Sequence, residues 1–319
     1  PYYVHHIFRE STSYEGENFA MPNNRAIGEY TFLAVDAAVL GQYGYDAKTM
    51  TNPSLYSSDF YKILNYEYAK GKTPLYSESG KLDLGLLHYW SYTLDGPSGT
   101  AVATPDVFSI YGDAYTNAAK RGDNLKTGMI LQNTEYQNRW KYKTEYETKE
   151  GFITTDPSVK TTVKIVKGGY ELKEKYESEG YTVLVAESPR ATEEDIFGSM
   201  FGIGAYTSDE SRSMEIIAYI NTNPELRNLL QYGVENVNYV LNTYVDEADG
   251  KEYSYVTPTE NNAYHMDINK TGNVFIAYPE GKENVKEWEY QKQQNLDATT
   301  EPALGMYFDR DLKVNTDVL

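Results

Sequence analysis

The chain contains no cysteine, only four histidines and three tryptophans, and fewer basic than acidic residues. The lack of cysteine excludes disulfides, thiolate zinc sites and thiol nucleophiles, and leaves the redox compartment open. The histidines, His5, His6, His88 and His265, fall in no HExxH-like spacing, so the sequence frames no zinc site. No apolar run reaches the roughly 18 residues of a membrane-spanning helix. With 29 Lys and Arg against 47 Asp and Glu, a net charge of −18, the chain lacks the clustered cations that a phosphate backbone requires, which excludes nucleic acid as a ligand. Neither a GxSxG elbow nor a GxxxxGK[ST] loop occurs, so no serine-hydrolase or P-loop chemistry is indicated. The opening Pro1-Tyr2-Tyr3 is neither an initiator start nor a signal peptide, and reads as a processed or truncated terminus.

What is present is a chain of 319 residues, long enough for two compact lobes, with charged residues at 24% and no low-complexity block. Tyrosine is the outlier, at 32 copies against 10 Phe. Its flat apolar face and hydrogen-bonding tip suit a sugar, whose ring has apolar C–H faces and a hydroxyl rim. They equally suit a polar, extracellular surface on which Tyr replaces Phe. The segment DINKTGN from Asp267 starts like a calcium loop, but its twelfth position is Tyr278 rather than Glu, so it reads as a turn.

Strand-like runs rich in β-branched and aromatic residues occur at 31–35, 107–111, 162–166, 182–186, 200–206 and 273–278. Helical patterns separate them at 36–43, 57–71, 135–151, 210–233 and 283–295. The alternation predicts an α/β layer architecture. Asp249-Gly250 between two strand-like runs predicts a β-hairpin over 238–256, whereas polar residues at 96–105 and 116–128 predict loops. Trp140 and Trp288 sit in helical patterns with apolar residues at helical spacing, which predicts core packing.

The segment GENFAMPNNRAIGEYTFLAVDAAVLGQYGYD at 16–46 resembles the place where family 1 extracellular solute-binding proteins leave their first lobe, pass the hinge and enter the second. Residues 167–241, ending in NTNPE and LLQYG, resemble the return crossing and the helix that closes the domain. MDINKTGNVFIAYPEGKENVKEWEYQKQQNLDA resembles the C-terminal portion of carbohydrate-specific lipoproteins of Gram-positive bacteria. The resemblance covers about half of the 319 residues. It lacks the lipid-anchored Cys and the opening elements of the first lobe that members usually carry. It implies a type II periplasmic-binding-protein-like α/β fold with two lobes joined by a hinge, the first lobe incomplete. Residues 1–21 and 201–319 are then expected in lobe one, the latter recrossing the hinge if there is a third crossing, and 22–200 in lobe two.

The same resemblance implies a monomeric extracellular binder, attached to the cell surface through a lipid anchor. It would capture a sugar or oligosaccharide in an interlobe cleft, close about a hinge, and deliver the ligand to an ABC transporter permease with no cofactor, metal or catalytic residue. Open α/β sheets bind ligands beyond the carboxyl ends of their strands. The crossings therefore nominate Asn23, Asn24, Glu29 and Tyr30 on the way out and Arg190, Glu194, Phe197 and Met200 on the return. Trp90 and Tyr232 are added as aromatic candidates. Asn, Glu and Arg supply the donors and acceptors that a ring of hydroxyls needs. Two other readings stand beside this one. A glycosidase or surface adhesion module needs two converging carboxylates in the first case and no hinge in the second. A peptide or amino-acid binder of the same fold could anchor charged termini through Glu29 and Arg190.

Overall fold

The computed structural model describes residues 13–14, 17–18, 20–45, 54–82, 90–93, 100–103, 108–111, 134–192, 195, 198–262, 266 and 272–300. The chain divides into two units, Pro1–Gly28 with Arg190–Leu319, and Glu29–Pro189. The crossings thus fall at Gly28/Glu29 and Pro189/Arg190, not at the expected 21/22 and 200/201. The cause is local. Met21–Pro22 pairs with Met200–Phe201, and Arg190–Ala191 pairs with Thr299–Thr300, so both flanking stretches belong to the first unit.

The Glu29–Pro189 unit is built on a five-stranded sheet of β1 (Tyr30–Asp36), β2 (Leu75–Ser77), β3 (Ile153–Thr154), β4 (Val163–Gly168) and β5 (Tyr181–Glu187), in the order β5-β1-β4-β2-β3. β1 runs antiparallel to both of its neighbours, while β4, β2 and β3 are mutually parallel. All seven residues of β1, YTFLAVD, are buried, as expected for a central strand covered on both faces. On one face lie α1 (Ala37–Gln42), α2 (Ser58–Ala69) and α3 (Thr134–Thr148); Leu33, Val35, Leu75, Val163 and Leu184 of the sheet pack there against Phe60, Leu64, Tyr146 and Phe152. α2 starts because the Ser57 side chain accepts from the Phe60 N–H, and it buries Phe60, Ile63, Leu64 and Glu67 at helical spacing. The opposite face carries Tyr30, Phe32 and Val166, covered by Leu172 and Tyr176 of α4 (Glu171–Ser178).

Tyrosine does much of this packing. Tyr61 stacks on Tyr142 with ring centroids 4.2 Å apart, and Tyr146 stacks on Phe152 at 5.0 Å. Their hydroxyls reach polar partners at the margins: Tyr61 Oη donates to Glu145 Oε2 at 2.8 Å and Tyr68 Oη to the Glu150 carbonyl at 2.8 Å. The tyrosine excess is therefore partly a core property, with apolar rings inside and polar tips at the edge.

The other unit holds α5 (Glu210–Thr222), α6 (Pro224–Tyr232), the hairpin β6 (Tyr239–Val245) with β7 (Glu252–Pro258), and α7 (Glu287–Asp297). The hairpin stands where Asp249-Gly250 predicts it. The single helical pattern at 210–233 is two helices, because Asn223 leaves helical geometry to cap Leu226 N and Pro224 takes the first position of α6. Two expected strands are not strands. Only Met200–Phe201 of 200–206 pairs, and 273–278 forms a 3₁₀ turn at Val274–Ile276, capped by Asn273. Conversely, Thr100–Ala103, inside the expected loop 96–105, is a strand between Trp90–Thr93 and Phe108–Tyr111.

Irregular backbone in this unit is satisfied by buried amide side chains, since an unmet backbone donor or acceptor is costly once water is excluded. Asn295 Oδ1 accepts from Ile27 N–H at 2.8 Å and its Nδ2 donates to the Arg25 carbonyl at 2.8 Å. Gln294 Nε2 donates to the carbonyls of Ile27 at 3.1 Å and Gly28 at 2.5 Å. Asn228 Oδ1 accepts from Tyr278 N–H at 2.8 Å. No helix of the described residues is long and apolar enough to cross a membrane.

Candidate functional site

β2, β3, β4 and β5 all end at one edge of the sheet, and β1 begins there: Tyr30 is opposite Gly168, while Asp36 is opposite Tyr181. This carboxyl edge is where an open α/β sheet presents a ligand site. Thr31 Oγ1 donates to Glu187 Oε2 at 3.1 Å, tying the start of β1 to the end of β5.

A cavity of about 490 Å³ opens beside this edge, on the α4 face, within the size range of small-molecule sites. Tyr76, Val166, Leu172 and Tyr176 give it an apolar and aromatic wall, and the loop after β2 brings Ser77, Glu78, Ser79 and Lys81 to its rim. That loop is held in shape by hydrogen bonds within it and to α3. Ser77 Oγ donates to the Lys81 carbonyl at 2.6 Å, Lys81 N–H donates to Ser79 Oγ at 3.2 Å, and Leu82 N–H donates to Glu147 Oε1 at 2.8 Å. At the end of β4 Gly168 has φ +155°, and a Cβ there would meet Leu172 Cδ1 at 2.6 Å, so glycine lets β4 turn directly into α4. Burial pushes the Tyr176 hydroxyl up from its ordinary pKa, so it stays a neutral hydrogen-bonding tip. An aromatic and aliphatic wall facing a rim of two serine hydroxyls and the charged heads of Glu78, Lys81 and Lys167 offers an apolar face and a set of donors and acceptors to a polyhydroxylated ring. Among the described residues no group of three His, Cys, Asp or Glu side chains is placed to hold a metal ion.

The residues nominated from the crossings take several places. Asn23 and Asn24 are both 2% exposed and hold the chain internally. Asn23 Oδ1 accepts from Gly272 N–H at 2.8 Å and its Nδ2 donates to Ser199 Oγ. Asn24 Nδ2 donates to Asn273 Oδ1 at 3.2 Å. Tyr30, 1% exposed, stacks on Phe32 at 4.8 Å and meets Tyr170 edge-on at 5.8 Å. Tyr232 is buried against Tyr239 and Val256, and donates to the Tyr278 carbonyl at 2.5 Å. These four serve the interiors of their units. Glu29 is exposed and immediately precedes β1 at the carboxyl edge. Arg190 and Met200 are half-buried in the two short strand pairs next to the crossings. Trp90 opens a strand, but its side chain lies outside the described residues, as do Glu194, Phe197, the four histidines and the calcium-like positions from Asp267 to Thr271. Trp288 takes the packing role expected of it, against Phe275 at 6.3 Å, with its Nε1 donating to the Ala277 carbonyl at 2.7 Å. The side chain of Trp140 also lies outside the described residues.

No family model matches the chain. It is similar to a carbohydrate ABC transporter substrate-binding protein of Streptococcus pneumoniae serotype 4, with 34% identity over 112 residues, which are 35% of this chain and 22% of that protein. In structure it is similar to the N-glycan transport solute binding protein NgtS from Streptococcus pneumoniae, with a TM-score of 0.50 and 21% identity over 97% of this chain and 65% of that one. Against NgtS in complex with Man1GlcNAc the TM-score is 0.45, at 18% identity over 99% of this chain and 67% of that one. The chain thus spans about a fifth of the curated relative and about two thirds of the structural neighbour. The resemblance read from the sequence holds at the level of architecture, and the chain has the α/β fold of a solute-binding protein.

Proposed function

We propose that this chain is the ligand-binding part of an extracellular, lipid-anchored substrate-binding protein that captures a sugar or oligosaccharide and hands it to an ABC transporter permease as a monomer, without chemistry of its own. The observation that carries the reading is the cavity at the carboxyl edge of the sheet, where Tyr76, Tyr176 and Leu172 face a rim of Ser77, Glu78, Ser79 and Lys81. An uncharged sugar gains nothing from electrostatic steering, so the net charge of −18 acts as a solubilising surface and not as a ligand field. The carbohydrate importer relative at 34% identity and the glycan-transport neighbour of the same fold support the same ligand class. Glu29, exposed where β1 begins, is the crossing residue best placed to add a hydrogen-bond acceptor at that edge.

The test is a thermal-shift screen of the purified chain against mono- and oligosaccharides, amino acids and short peptides, with product analysis after long incubation. A saturable rise in Tm with one sugar class and no turnover is expected, because a ligand that binds only the folded state stabilises it by mass action. Hydrolysis of the sugar would replace the binder by a glycosidase, and a rise with amino acids or peptides alone would change the ligand class.

A further inference from the structure

Tyr76 and Tyr176 both line the cavity beside the carboxyl edge, and two residues outside its lining, Lys164 and Tyr181, join them. Lys164 of β4 stands opposite Tyr76 of β2, so the two side chains share one face of the sheet, the face covered by α4. Toward the other edge Lys164 is opposite Ala34 of β1, and Ala34 is opposite Val183 of β5. Tyr181, with the same strand parity as Val183, stands on that face too. At this level β1 presents only the methyl group of Ala34 between β4 and β5, which leaves room for an ammonium between two rings.

Lys164 Nζ lies 5.7 Å from the Tyr76 ring centroid and 5.8 Å from that of Tyr181, within reach of a cation–π attraction to each. Its hydrogen bond goes to the Pro157 carbonyl at 2.8 Å, and among the described residues no carboxylate pairs with it. The carbonyl therefore anchors the ammonium without neutralising it. Tyr181 in turn meets Tyr176 edge-on, with centroids 5.9 Å apart and the rings at 87°. One run of contacts thus passes outside the cavity wall from Tyr76 through Lys164 and Tyr181 to Tyr176. A ring that is free to turn must be ordered when a ligand stacks on it, and that ordering is subtracted from the affinity. Among the described residues no other aromatic ring packs on Tyr76, so the cation is the directional contact that holds it.

We propose that Lys164 is a positioning residue of the sugar site: from outside the cavity wall it holds the Tyr76 ring in the orientation on which a sugar stacks, and through Tyr181 it supports Tyr176. The inference rests on the carbohydrate reading above.

Calorimetric titration of a panel of neutral mono- and oligosaccharides tests it, using the wild-type chain, Lys164→Ala, Lys164→Arg, Tyr76→Leu and the double variant Tyr76→Leu/Lys164→Ala, each well below its own Tm. The expected result is that Lys164→Ala weakens every saccharide that the wild type binds by roughly fivefold, the cost of ordering one freed side chain. Lys164→Arg, which keeps a cation and a donor for the Pro157 carbonyl, should restore affinity to within about twofold of wild type. In the Tyr76→Leu background, where no ring remains to be held, adding Lys164→Ala should leave the affinity unchanged. A residue that serves only the stability of the fold would not produce that split. Wild-type affinity in Lys164→Ala, no recovery in Lys164→Arg, or an undiminished loss in the Tyr76→Leu background overturns the positioning role and leaves the carbohydrate reading standing. Silence of the wild type toward the whole panel overturns both.

Discussion

Substituting Glu67 by glutamine separates two opposed electrostatic effects in the core of the sheet unit. Glu67 is fully buried on the inner face of α2. Its Oε1 accepts from Lys70 Nζ at 2.8 Å and from Tyr43 Oη at 3.0 Å, and its Oε2 accepts from Lys72 Nζ. Burial by itself pushes the carboxyl pKa up. The hydrogen bonds from Lys70, Lys72 and Tyr43 outweigh it and hold the group at about 2, against an ordinary 4.5. At about 1.4 kcal/mol per pKa unit this corresponds to about 3 kcal/mol of preference for the charged form in the fold. The lysine side chains are 33% and 52% exposed and can turn to water, so the loss on substitution is about 2 kcal/mol. The sign follows from a depressed pKa. The stabilisation is fully present above the unfolded value and is lost as pH falls through about 2. Urea unfolding at several pH values is the assay. At pH ~7 Glu67→Gln should be less stable by about 2 kcal/mol, and the gap should narrow below pH ~4.5 as the unfolded carboxylate of the wild type takes up its proton. Equal midpoints at neutral pH, or a gap that stays constant down to strongly acidic pH, would refute the reasoning.

Two further substitutions address the crossing. Gly28 has φ +54°, and a Cβ there would lie 2.4 Å from the Arg190 carbonyl oxygen, so Gly28→Ala forces backbone to move and should cost well over the ~1 kcal/mol of the left-handed conformation alone. Gly44→Ala, at φ +74° with open space around it, is the control that should cost about that conformational amount only, both being read from thermal unfolding. Asn23→Ala removes the acceptor of the Gly272 N–H and should destabilise by about 1–3 kcal/mol in urea, the cost of a buried donor left unmet.

Three of the five strands of the sheet were legible: β1, β4 and β5 are short runs rich in β-branched residues bounded by turn formers, whereas β2 and β3, of three and two residues, are too short to carry a pattern. The cap of α2 at Ser57 and the Asp249-Gly250 turn are local chemistry and appear where the sequence puts them. By contrast α4 has no fully buried residue and many charges, so its periodicity is faint. The run 273–278 looks like a strand but finds no strand partner, and Asn273 caps Phe275 to wind it into a turn. The candidate site was less legible for a topological reason. Tyr76, Val166 and Tyr176 come from three separate segments, and they meet only because β4 lies beside β2 in the sheet. The crossing argument selected residues by nearness along the chain, and there Asn23, Asn24 and Tyr30 are buried. Nothing in a Pro-Asn-Asn sequence distinguishes an amide aimed at a ligand from one that satisfies Gly272.

Hydrogen–deuterium exchange of the chain with and without a saturating oligosaccharide tests the central claim most directly, since it locates the ligand without altering a residue. Residues 76–81 and 166–176 are predicted to gain protection, with the amino edge of the same sheet, at Asp36 and Tyr181, unchanged. Saturable sugar binding that leaves 76–81 and 166–176 exchanging as in the free protein would contradict the account.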